Sequence, residues 1–298
     1  MSLQVALVTS SYRGDLERCR LLCDSIDRFA TGFSRHYLLV EAADVALFRS
    51  FEGPHRRVVS ERDLLPGWLR PVPDPLRRGR RLWFSPFGPP LRGWHVQQLR
   101  RIAMAAAMEE DVLVSLDSDV VFVRPFDAAS LHDGTAVHFT RIPEARRPVL
   151  PHLRAVHDSW EARAAALLGI AETGRRIEFG YIATLIAWRR DTVREMLARI
   201  EAVRGRSAMR ALAGSRALSE CTIYGRFVDE VEGRPDRHVA VANELCAVYW
   251  DGPPMGSAEL ARYLGALEPR QVAVGLQSFT GTDPALIRAA VGLSSGAS

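Results

Sequence analysis

The chain has 298 residues, 25% charged and 47% hydrophobic, with a net charge of +4. That composition excludes a disordered or fibrous protein, and a chain of this length buries roughly 75% of its unfolded surface without disulfide or metal staples. All 39 basic residues are Arg and none is Lys, which excludes Schiff-base and pyridoxal chemistry and a P-loop whose Lys grips phosphate.

The first predicted element is a strand at Val5–Val8 within LQVALVTSSYRGD. Small polar residues and a Gly14-Asp15 turn follow it. Leu16, Cys19, Leu22, Cys23, Ile26 and Phe29 then recur at helical spacing and predict an amphipathic helix. Cys19 and Cys23 fall on its apolar face, and with Cys221 and Cys246 they form no metal-ligand spacing, so buried free thiols are expected. HYLLV at 36–40 and RRVVS at 56–60 read as further strands. Strand, helix, strand in this rhythm predicts a parallel α/β sheet.

Residues 66–93 break the rhythm with seven Pro, six Arg and one acidic residue. They read as a mobile loop: an Arg-coated surface, or a basic lid carrying Trp68, Arg80, Arg81, Trp83 and Phe84 over an anionic ligand. A helix follows from about Trp94 to Met108, with Val96, Leu99, Ile102, Ala103 and Ala106 on one face. Beyond the mid-chain motif described next, strands are expected at 135–140, 177–187, 238–242 and 271–276. Helices are expected at 155–169 and after Asp191, the latter capped by Asp191 and closed by Gly205. The tail GLSSGAS reads as frayed. There is no apolar leader and no run long enough to span a bilayer, so a cytoplasmic protein with at most peripheral membrane association is expected.

The segment VLVSLDSDVVFVRPF carries the chemistry. A buried strand, Val112 to Leu116, delivers Asp117 and Asp119 at its carboxyl end. Residues two apart on an extended chain point the same way, so both carboxylates face one small volume. Parallel α/β sheets bind ligands in that crevice. Two adjacent carboxylates repel unless a cation joins them, and Mg2+ or Mn2+ with phosphate co-ligands suits oxygen donors. Solvated loop aspartates are the plainer reading of the same pattern.

VALVTSSYRGDLERC, GWHVQQLRRIAMA, LVSLDSDVVFVRPF and SECTIYGRFV together resemble the GT-A class of nucleotide-sugar glycosyltransferases. The resemblance implies one Rossmann-like α/β domain over 1–298 with a mixed, mostly parallel sheet. Residues 1–125 would form the nucleotide-binding half and 126–290 the acceptor-side half. It implies a metal-dependent hexosyltransferase that moves a sugar from a nucleotide diphosphate, UDP on class frequency, to a carbohydrate or other hydroxyl acceptor. Asp119 would be the principal ligand of Mn2+ or Mg2+, and Asp117 would contact the metal or the ribose. Thr9, Ser10, Ser11 and Tyr12 would line the nucleotide pocket, with the Tyr12 ring near the base. Gln97, Gln98 and Arg101 would lie near the donor, with Arg101 on the diphosphate or simply on a solvated helix face. Asp15 would cap its helix in preference to touching ligand. A late metal ligand falls to His238 or Asp251.

Glu220 is the candidate base for the acceptor hydroxyl, or a first-turn Glu favoured by the helix dipole. Tyr224 would share its face, and Glu178 is the alternative base. Trp160, beside His157, faces acceptor or fills core. Gln277 and Ser278 are further acceptor candidates. Two other functions compete. A haloacid-dehalogenase-like phosphohydrolase would use Asp117 as nucleophile and Asp119 as acid/base, but its motif normally opens the domain, and the chain has neither Lys nor an Asp-Asp pair. A non-enzymatic Arg-rich binder would use residues 66–93, but 35 acidic residues nearly balance the Arg and no nucleic-acid motif is present, so no nucleic-acid partner is expected.

Overall fold

The computed structural model describes residues 3–77, 79–143, 151–171, 179–242 and 244–293. Its central sheet has the strands β1 (Val5–Ser10), β2 (Arg35–Val40), β3 (Arg56–Ser60), β4 (Val112–Asp117) and β5 (Ile186–Arg189). They lie in the order β3-β2-β1-β4-β5. The first four are mutually parallel, and β5 runs antiparallel to β4. The fold is therefore mixed α/β with a mostly parallel main sheet, as the strand-helix rhythm predicts.

Alternation along β1 fixes the layers. Ala6 and Val8 enter one apolar cluster with Val96, Leu99 and Ile102 of helix α2 (Gly93–Ala107). Val5 and Leu7 enter the opposite cluster with Leu22 and Ile26 of helix α1 (Leu16–Phe29). Every residue of β1 is buried, because helices cover both faces and strands flank both edges. Cys19 and Cys23 are buried free thiols, as expected.

The connection after β1 leads to β2 on one side, while β4 docks on the other. That divergence opens a crevice beyond the carboxyl ends of β1 and β4, the usual ligand position in such sheets. The register pairs Ser10 with Asp117 at that edge. The chain then turns through Ser118 and Asp119 into a strand at Val120–Phe122. This strand pairs antiparallel with Ala273–Leu276, which pairs in turn with Cys246–Tyr249. Strands from both halves of the chain thus share these two sheets.

Residues 66–93 are not a loop. They contain a three-stranded antiparallel sheet of Arg70–Pro73, Arg81–Ser85 and Gly88–Arg92. The prolines explain the misreading. Pro71, Pro73, Pro89 and Pro90 all sit on the two outer strands, where a missing N–H is tolerated, and the central strand has none. Trp83 and Leu91 anchor this lobe in the main core. Gly88 lies so close to the 213–214 backbone that a Cβ there would meet it at 2.7 Å.

Other elements follow the predicted order. Helices α3 (Arg154–Leu168) and α4 (Arg190–Arg204) are present, and Gly205 ends the latter at φ 60°. Asp191 is inside the first turn of α4 rather than its cap, and its carboxylate binds Arg189 and accepts from the Thr192 amide. Strands at Val137–Thr140 and His238–Val241 pair in parallel. Among the described residues no helix is long and apolar enough to cross a membrane. Residues 294–298 of the tail lie outside the described residues.

One fully buried histidine ties β1 to β2. His36 Nε2 lies 3.0 Å from the Thr9 hydroxyl, and Nδ1 accepts from Arg56 Nε at 3.0 Å. With Nδ1 accepting, a neutral ring donates to Thr9 from Nε2. Burial and the Arg56 charge hold its pKa well below the ordinary value. A depressed histidine pKa contributes stability above about pH 6.5, which is lost as pH falls, because the unfolded chain then takes the proton first. His36→Gln should therefore narrow its melting-temperature deficit against wild type between pH 7.5 and pH 5. A deficit independent of pH would show that the ring is not held neutral.

Candidate functional site

The crevice beyond β1 and β4 opens into a cavity of about 830 Å3. Of the ten residues expected to hold the metal, the donor and the base, eight line it: Ser10, Tyr12, Gln97, Gln98, Arg101, Asp117, Asp119 and Glu220. Thr9 and Ser11 do not reach it. As alternate residues of an extended strand they point away from Ser10, and the Thr9 hydroxyl is bonded to His36.

Arg101 links two carboxylates on the cavity wall. Its Nη1 donates to Glu220 Oε1 at 2.8 Å, and its Nη2 donates to Asp117 Oδ1. Burial works against the guanidinium charge, but Asp117 and Glu220 outweigh it and raise its pKa. Arg101 is therefore not on a solvated helix face; it positions two carboxylates on the cavity wall. Glu220 opens helix α5 (Glu220–Phe227), which Ser219 caps by accepting from the Thr222 amide. The Glu220 amide donates to Gln98 Oε1 at 3.0 Å. Helix α2 thus fixes the start of α5 through Gln98 and Arg101, one turn apart. Burial pushes the Glu220 carboxyl up, against the pull of Arg101.

Asp119 occupies the corner between the two sheets. Its carbonyl accepts from the Leu276 amide at 3.1 Å, and its Oδ2 accepts from the Ser278 amide at 3.0 Å. Its Oδ1 is buried without a hydrogen-bond partner. Burial and the neighbouring Asp117 charge push its pKa up to about 7. Asp15 adds a third carboxylate to the wall. It occupies the cap position of α1 but makes no capping bond; its Oδ2 instead accepts from the Ser118 hydroxyl at 3.5 Å. Burial raises Asp15 as well.

Across the cavity, the Arg80 guanidinium stacks on the Tyr12 ring, 4.4 Å from its centroid. Gly14 lies under the same ring, and a Cβ there would meet it at 2.5 Å. Trp160, His157, Asp251, Gln277 and Ser278 also line the cavity. His238 does not. Its Nδ1 lies 3.2 Å from Glu232 and its Nε2 3.0 Å from the Tyr224 hydroxyl, in the interior behind the cavity wall. Tyr224 points away from Glu220 and stacks on Trp188 at 5.2 Å. Glu178 lies outside the described residues.

The geometry also adds residues that periodicity did not flag. Trp94 is 48% exposed at the cavity rim. Its signal was available: it is off the apolar stripe of its own helix, so no core position requires it. From sequence, Arg80 reads as a lid charge, and Asp15 as a cap in preference to a ligand contact.

The chain belongs to DUF6492, a family of unknown function. The family model matches residues 1–288, which span both sheets and every cavity residue named above. No curated protein matches the chain.

Asp119 gives the site a stability signature. A carboxylate whose folded pKa is raised contributes stability below about pH 4, and this is lost as pH rises through about 7. Asp119→Asn keeps the Ser278 bond and removes the charge. Chemical denaturation at pH 8 should find the ligand-free variant more stable than wild type by on the order of 2 kcal/mol. The gain should vanish near pH 4. A variant destabilised at pH 8 would show instead that the charge is compensated.

Proposed function

We propose that the protein is a metal-dependent GT-A-type glycosyltransferase that moves a sugar from a nucleotide diphosphate, UDP first, to a hydroxyl acceptor. The observation that carries this reading is the buried, unpartnered Asp119 oxygen beside Asp117 at the carboxyl edge of β4. A buried carboxylate oxygen without a hydrogen-bond partner is uncommon in a native structure, and a bound ion or water is one of the few things that satisfies it. Strand order supports the same reading, because the D-x-D strand is next to β1 at the point where connections diverge. A cavity of about 830 Å3 also has room for a donor and an acceptor together.

The donor set fits a hard divalent cation. Asp119 Oδ1 and Asp117 would hold Mn2+ or Mg2+, and Asp15 supplies further negative charge. Among the described residues no three His, Cys, Asp or Glu side chains are grouped as metal ligands, so phosphate oxygens and water would complete the shell, as is usual for Mg2+-type sites. The metal supplies Lewis-acid stabilisation of the leaving diphosphate.

The remaining work falls to the chain itself. Ser10, Tyr12 and Gln97 shape the donor pocket, while Arg80 brings positive charge to its rim. In an inverting transfer the acceptor oxygen bonds the anomeric carbon, the bond to the diphosphate breaks, and Glu220 takes the hydroxyl proton. Burial raises Glu220 toward the basicity that task needs. Arg101 holds Glu220 and Asp117 in fixed relation, which keeps the base and the metal-binding edge in register.

Thermal denaturation with UDP and Mn2+ tests the reading. At a hundredfold excess over the dissociation constant, stabilisation should be about 2.7 kcal/mol. Asp119→Ala should abolish it. Glu220→Gln should keep the stabilisation but lower turnover about 100-fold or more. Failure of every nucleoside diphosphate to stabilise the protein with metal would rule the assignment out.

A further inference from the structure

Four of the six Trp line the cavity, namely Trp83, Trp94, Trp160 and Trp250. Trp83 is 1% exposed and belongs to the core. Trp94 and Trp160 are different. Their ring centroids lie 5.5 Å apart at an interplanar angle of 34°, and His157 lies 4.6 Å from Trp160. Three rings from two helices therefore form one aromatic surface at the cavity wall.

Packing does not explain the exposed half of Trp94. Trp94 leaves about half of its area in solvent, and a Trp contributes to a core only through the area it removes from water. The pair is also tied to the reacting end of the cavity. Helix α3, which carries Trp160, packs against α5, and Arg226 of α5 donates to the Glu161 carbonyl at 2.8 Å. Trp94 is one turn before Gln97, and Gln98 and Arg101 of the same helix hold Glu220. The rings and the candidate base are therefore fixed in one frame.

The chemistry of the surroundings selects an occupant. A pyranose ring has an apolar C–H face and a hydroxylated edge. The rings supply the apolar partner, and His152 and Arg92, also on the cavity wall, carry hydrogen-bonding groups for the edge.

We propose that Trp94 and Trp160 form a carbohydrate subsite that stacks a pyranose ring of the acceptor, so that the acceptor is a glycan. Its role as acceptor subsite rests on the transferase reading above; its capacity to bind sugar does not. The test is intrinsic fluorescence and calorimetric titration of the full chain with a panel of gluco-, galacto-, manno- and N-acetylglucosamine-configured trisaccharides. Saturable binding of at least one is expected. Trp94→Ala and Trp160→Ala should each weaken it at least fivefold, and the Phe variants should restore most of it. Because Trp94 is half exposed, its Ala variant should melt within a few degrees of wild type. UDP with Mn2+ should stabilise the Ala variants as it does wild type.

Three results overturn the subsite: no trisaccharide binds, the Ala variants bind as wild type does, or the Ala variants lose the UDP response, which would assign the rings to the base. If no nucleotide stabilises wild type while a trisaccharide binds through the pair, the sugar subsite stands and the transferase reading falls.

Discussion

Arg101 donates to Asp117 and Glu220 from a position where its side chain is 12% exposed. Asp117 belongs to β4 and Glu220 to α5, so this bridge joins the D-x-D edge of the sheet to the helix that closes the cavity. Without the guanidinium the two carboxylates would repel, and the buried Glu220, 6% exposed, would lose its counter-charge. Removing one partner of a buried pair costs about 3–5 kcal/mol, because the other charge is stranded. The local electrostatics favour specificity of arrangement more than raw stability. Asp15, Asp117 and Asp119 crowd one wall, and burial raises two of them against their own ionisation.

A second tether sets where Asp119 points. The residue leaves β4 and is captured at once by the end of the Ala273–Leu276 strand through the Leu276 and Ser278 amides. Arg18 braces that capture, donating to the Leu276 and Thr282 carbonyls from α1. The two sheets therefore meet at Asp119, and residues more than 150 positions apart in sequence decide the direction of its carboxylate. The Pro-rich lobe contributes from the far side. Its edge strands absorb the prolines, its Trp83 fills the core, and its Arg80 covers the Tyr12 ring.

Much of this was legible in the chain itself. The buried run Val112 to Leu116 identified a central strand, and its position ahead of Asp117 and Asp119 placed them at a sheet edge. The stripe of α1 and the glycine that ends α4 appeared where periodicity and capping put them. The Pro-rich segment failed because proline density reads as loop, although edge strands accept it. Asp15 failed because a cap residue and a cavity residue share one sequence signal.

Sequence by itself determined the strand-helix rhythm, the apolar stripes and the paired aspartates, because each depends on spacing within a few residues. Tertiary structure decided which of Thr9, Ser10 and Ser11 faces the cavity, why His238 is spent on Glu232 and Tyr224, and which charges Arg101 neutralises. The physical reason is range. Periodicity and capping act along the chain, whereas burial and ion pairing act through space between segments that only folding brings together.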